Sequence, residues 1–242
     1  MMRLFSYISF ILLALNTNLY GQNANDCKKE LSAINSVMGN MDFPRDDQVY
    51  YLKYSTKSMM WDETITPAKD IEIEILMSKD QLHYLAGDIV MFQDMRDAFM
   101  IIKSRKMIMW STSAIYEDRQ AKMEDLVVFR DTLLELCTIK SCDKVSLDGV
   151  ELKKIILQPN ERARKYLKLE KMEVLYNPEK KWINKVVIDY TRKHEMKKTT
   201  VTYDEMNYDF KAKMNKPVMD LIFARNNQLR SVYNGYQLID NR

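Results

Sequence analysis

The sequence predicts an α+β fold: a curved antiparallel β-sheet, shaped as a half-barrel, with two amphipathic helices packed on its concave face. Three observations predict it. Apolar residues recur with a period of two through two long blocks, 49–111 and 150–203. Each block is preceded by a stretch in which the apolar spacing is three to four. Several strands are apolar on both faces, so a sheet built from them needs a layer above as well as below.

The chain opens with Met1, Met2 and Arg3, runs apolar from Leu4 to Leu15, and turns polar at Asn16-Thr17-Asn18. This is the layout of a secretory signal peptide. The apolar run falls short of the roughly 20 residues that span a bilayer, and Gly21 before Gln22 offers a cleavage point. The expected organisation is a signal peptide over 1–21 and a single domain over 22–242, with a C-terminal extension from about 217. Cys27 follows the polar, acidic pair Asn25-Asp26, which does not suit a lipid-anchoring cysteine. A periplasmic protein is expected, with secretion as the alternative.

Hydrophobic residues make up 46% of the chain and there are only five Gly and five Pro, so disordered, collagen-like and low-complexity classes drop out. The formal charge is only +3, yet residues 151 to 216 hold 17 Lys or Arg against 10 Asp or Glu. That basic half is either a set of lysine-studded strands whose charges discourage edge pairing or a surface for transient contact with anionic membranes.

From Asp26 to Met41, the residues Cys27, Leu31, Ile34, Met38 and Met41 give helical spacing behind an acidic cap. Asp42-Phe43-Pro44 stops it. Val49 to Trp61 alternates, and Ile71, Ile73 and Ile75 against Glu72 and Glu74 make the clearest half-buried strand. Further strands are expected at 81–86, 88–92, 99–103 and 106–111, with Ser78-Lys79-Asp80, Gly87 and Ser104-Arg105 as turns. Helical spacing returns over Asp118 to Cys137. Strands resume at 150–157, 170–176, 182–191 and 197–203, and Asn177-Pro178-Glu179-Lys180 makes a hairpin turn. After Pro217, short apolar runs fit helix and strand equally.

This order of elements resembles the LolA-like and LolB-like outer-membrane lipoprotein carriers. The resemblance rests on the leader, the opening helix Asp26 to Met41, the strands Tyr50 to Trp61 and Ile71 to Met77, the mid-chain helical break and the late hairpin Lys171 to Thr191. It implies a half-barrel closed by helices that shields acyl chains in an apolar cavity. The chain departs from that pattern after Pro217 and in its methionine load, and no family site residue aligns to a position here.

Methionine clusters in the first strand block. Met59, Trp61, Met91, Met100, Met107, Met109 and Trp110 are the candidate lining of an apolar cleft, because flexible, polarizable thioethers adapt to variable lipid tails; ordinary core filling is the competing reading. With three cysteines in an oxidising compartment, one stays free or pairs outside the chain. Cys137 and Cys142, five apart across a predicted helix end, form a small bridged loop if their Cα atoms approach within about 7 Å.

No nucleophile elbow, zinc helix or phosphate loop is present in the sequence. His83 sits in a strand and His194 in a charged turn, both read as structural, and the spacing of Asp88, Asp94 and Asp97 matches no calcium loop. No catalytic residue, metal or cofactor is expected, and no nucleic-acid partner. The expected function is an exported carrier or binding protein for an apolar ligand, a lipid or a lipoprotein acyl chain. The alternative is a structural or protein-interaction module of an envelope complex with a filled core.

Overall fold

The computed structural model describes residues 44–62, 64, 69–113, 136–147, 149–180 and 182–242, with Cys27 and Lys29, both helical. The expected signal peptide and nearly all of the two expected helices lie outside those residues. Among the described residues there are twelve strands, and the chain groups into two compact units.

In the larger unit, β1 (Tyr50–Met60), β2 (Lys69–Met77), β3 (Leu82–Ala86), β4 (Ile89–Gln93), β5 (Asp97–Ile102) and β6 (Met107–Thr112) follow one another as antiparallel neighbours. Their alternation dictates this: with side chains projecting to opposite faces, each strand offers one face to its neighbours' apolar set. Short turns set the register. Asp94 accepts the amides of Arg96 and Asp97, each at 2.9 Å, and so closes the β4–β5 turn. Asp88 accepts the Ser104 amide at 2.6 Å beside the β5–β6 turn, where Lys106 stands at φ +47°.

The C-terminal segment completes this unit. After Pro217 comes one turn of helix, Met219–Ile222, then an irregular stretch, then β12 (Gln237–Asp240), which pairs with β6 in parallel. The tail that the sequence left undecided is therefore mostly irregular, with one α-helical turn, one 3-10 turn at Ser231–Tyr233 and one edge strand. Its Val218 and Ile222 are fully buried with Val90, Phe99, Ile101, Ile108 and Trp110.

The smaller unit contains β7 (Cys137–Leu147), β8 (Val150–Pro159), the short helix α1 (Glu161–Tyr166), β9 (Leu169–Asn177) and β10 (Trp182–Tyr190), with sheet order β10-β9-β8-β7. β11 (Met196–Asn207) starts here and belongs to the larger unit from Thr199. Ile155, Leu157, Met172, Val174, Tyr176 and Ile183 are buried. The β9–β10 hairpin turns where expected, because the Asn177 side chain accepts the amides of Glu179 and Lys180 at 3.0 and 2.9 Å.

Two expectations are corrected here. Cys137 is not a helix terminus: it opens β7 and pairs with Pro159 across the ladder. In consequence, Cys137 and Cys142 cannot bridge, since five residues of extended strand span about 17 Å, far beyond disulfide reach. The structure joins Cys27 to Cys142 instead, with Cα atoms 5.9 Å apart, and leaves Cys137 a free thiol whose pKa is raised by burial.

Candidate functional site

Strand register sorts the larger unit into two chemically different faces. On one, a continuous row crosses seven strands: Leu52 pairs with Ile75, Ile75 with Tyr84, Tyr84 with Met91, Met91 with Met100, Met100 with Met109, and Met109 with Ile239. A parallel row runs from Ile73 through Ala86, Ile89 and Ile102 to Met107. At these positions of β1 and β3 to β6, and of β2 from Ile71 onward, there is no charged side chain. Every residue of the first row is partly exposed.

Over β4 to β6 the opposite face is covered by the protein's own tail. Trp110 stacks on Phe99 at 5.2 Å and meets Phe223 of the tail at 5.4 Å. Its indole N–H donates to Asp97 at 2.7 Å, and the Arg242 guanidinium lies 3.2 Å from the ring centroid. Asp94 accepts the Val218 amide at 3.1 Å, and the Gln81 amide nitrogen donates to the Lys216 carbonyl at 2.9 Å, pinning both sides of Pro217. Burial raises the Asp94 pKa, but the amides of Asp97, Arg96 and Val218 outweigh that and hold it below the ordinary carboxylate value.

The seven candidate residues therefore divide. Met91, Met100, Met107 and Met109 share the uncharged face. Met59 occupies an opposite-facing position of β1, Trp61 lies beyond the strand end and is 39% exposed, and Trp110 is only 9% exposed beneath the tail. Trp110 is thus a core residue, not part of a lining shared with Met109: adjacent strand residues point to opposite faces.

Tyrosines flank the methionine face where β1 neighbours β11, and the sequence reading did not single them out. Tyr50 meets Tyr208 edge-on at 5.2 Å, and Tyr54 meets Tyr203 at 5.6 Å. Burial raises the pKa of Tyr203 and Tyr54, and that of Tyr208 further with help from Tyr203 and Tyr50, so these phenols stay neutral donors. The Tyr208 hydroxyl is buried with no hydrogen-bond partner among the described residues. The alternation of Tyr50, Leu52 and Tyr54 was the signal available for them.

A cavity of about 210 Å³ is bordered by Lys53, Glu72, Glu74, Leu85, Gly87 and Ile73. Its charged rim differs from the apolar cleft expected from the sequence, and its volume is below the roughly 300 Å³ of usual small-molecule sites. The histidines are structural. His83 packs edge-on against Phe92 at 5.0 Å, with its pKa lowered by burial. His194 accepts the Met196 amide at 3.0 Å through Nδ1 and stacks on Tyr190. Among the described residues no group of three or more His, Cys, Asp or Glu is placed to hold a metal ion.

No protein-family model matches the sequence, and no curated protein matches it. Solved structures with a similar fold include an uncharacterized conserved protein from Thermus thermophilus, at 7% identity and a TM-score of 0.41 over 89% of this chain and 99% of that one. The lipoprotein LppX of Mycobacterium tuberculosis is similar at 11% identity and a TM-score of 0.39, over 77% of this chain and 99% of its own. A LolA superfamily protein from Nitrosomonas europaea, of the family the sequence resembles, is similar at 8% identity and a TM-score of 0.27, over 82% and 97%. These are likenesses of fold, and the functional reading rests on the residues of the sheet.

Proposed function

We propose that the protein is an exported, non-catalytic carrier or binding protein of the cell envelope, periplasmic in location, that holds an apolar ligand such as a lipid or lipoprotein acyl chain against its methionine face. One observation carries this reading: the uncharged row from Leu52 to Ile239 stays partly exposed, while the apolar residues on the other side are sealed by the protein's own tail. An acyl chain laid along such a row is stabilised by about 0.8 kcal/mol per buried methylene, and thioethers adapt to chains of different length and unsaturation. The half-barrel with two helices over its concave face is the architecture in which such a ligand would be enclosed.

A second reading, a structural or protein-interaction module of an envelope complex, is favoured by the tail. Phe223, Val218 and Ile222 fill the space over Phe99 and Trp110, leaving that side a solid core.

Native mass spectrometry of protein purified from cells, paired with titration of a fluorescent fatty acyl probe, separates the two. Co-purified lipid and saturable probe uptake, lowered by changes at Met91, Met100 or Met109, are expected. Absence of both lipid and uptake refutes the carrier and leaves the module.

A further inference from the structure

One corner of the smaller unit gathers cations around an exposed aromatic ring. The short helix α1 is anchored by Ala163, which is fully buried, and is capped by Asn160, whose side chain accepts the Ala163 amide at 3.0 Å. That anchoring turns Arg162, Arg164, Lys165 and Tyr166 outward, all of them exposed. Thr191 donates its amide to the Lys168 carbonyl at 2.7 Å, which holds the β10–β11 turn, with Arg192 and Lys193, against the same corner. Residues 161–168 and 191–195 together carry six Lys or Arg and two acids, Glu161 and Glu195.

Tyr166 is 67% exposed, and the Lys165 ammonium lies 5.3 Å from its ring centroid. Arg164 is neutralised by Glu170. A ring this exposed gains little from water, whereas at a bilayer surface its apolar body sits at headgroup level while neighbouring cations reach the phosphates. We infer that this corner docks the protein on an anionic phospholipid membrane, with Tyr166 at the headgroup level and Arg162, Lys165 and Lys193 meeting the phosphates. The attraction dies off over a Debye length of about 8–10 Å, so docking is reversible. The inference goes beyond the ligand reading and stands without it.

Cosedimentation of the full chain with phosphatidylcholine vesicles, with and without phosphatidylglycerol, tests it. Each near-surface Lys or Arg is worth about fivefold in partitioning. The triple variant Arg162→Gln, Lys165→Gln, Lys193→Gln therefore loses about a hundredfold in binding to the anionic vesicles, and Tyr166→Ala loses several-fold. A control with the same charge loss elsewhere, Lys103→Gln, Lys213→Gln, Lys216→Gln, keeps most of its binding. Should the patch triple misfold by circular dichroism, Lys193→Gln alone carries the test with a loss of about fivefold. Wild-type protein indifferent to phosphatidylglycerol, equal losses in the two triples, or an unchanged Tyr166→Ala variant overturns the inference. So does an acidic protein captured at this corner while vesicles are ignored. Acyl-probe uptake by the patch triple remains at the wild-type level, so failure here is distinct from failure of the ligand reading.

Discussion

Met100 and Ile101 are neighbours in β5 that face opposite ways, which makes them a paired test of the two-faced sheet. Ile101 is 2% exposed and packs in the cluster sealed by the tail. Ile101→Ala removes a fully buried side chain at a cost of about 3 kcal/mol, a fall in Tm of roughly 6–12 °C for a chain of this size, with little direct effect on acyl-probe affinity. Met100 sits at the centre of the uncharged row between Met91 and Met109 and is already partly exposed. Met100→Ala costs about 1 kcal/mol or less of stability but removes two or three methylene equivalents of ligand contact. At about 0.8 kcal/mol each that weakens the probe by about 15- to 50-fold. Denaturant unfolding and probe titration on both variants decide the matter. If the two substitutions lower stability equally and leave the probe affinity equally untouched, the methionine face is ordinary core and the carrier reasoning is refuted.

Three further outcomes follow from the structure. The Cys27–Cys142 bridge spans 115 residues of sequence, so Cys142→Ser lowers stability by about 4–5 kcal/mol on loop-entropy grounds; alkylation of the native oxidised protein labels a single thiol, Cys137. His83 has its pKa lowered from 6.5 by burial. Below 6.5 the unfolded chain takes up a proton that the folded one refuses, so stability falls as pH drops from there toward the folded value, and His83→Phe flattens that slope in urea melts at stepped pH. Finally, the single domain expected over 22–242 gives one calorimetric transition, whereas two separated transitions would assign independent folding to the two units.

Where one face of a strand is apolar and the other wet, the period of two was visible and the strand was found: Ile71, Ile73 and Ile75 against Glu72 and Glu74 became β2 at nearly the expected limits. β7 escaped because, at the edge of its sheet, it is largely exposed and has no sustained apolar alternation, only Ile139, Val145 and Leu147 spaced irregularly around the bulge at Lys140. Helix α1 escaped because its six residues hold one buried anchor, Ala163. The tail was ambiguous for a different reason: its apolar residues satisfy a non-repetitive surface, the exposed side of Phe99 and Trp110, and not a helical or strand period. For the methionine face, methionine identity was legible but partnership was not. Met91, Met100 and Met109 become neighbours only through the register of two hairpins, β4–β5 and β5–β6, although alternation alone separates Met109 from Trp110.

The tail's place in the larger unit also bears on how such a chain is made. Phe99, Ile101, Ile108 and Trp110 have no lid until the stretch beyond Pro217 has been synthesised, so this half of the molecule reaches its final packing only after residues more than a hundred positions later in the chain have joined it. A polypeptide kept from premature collapse in this way stays open along one seam through most of its synthesis, and that seam is the last to close.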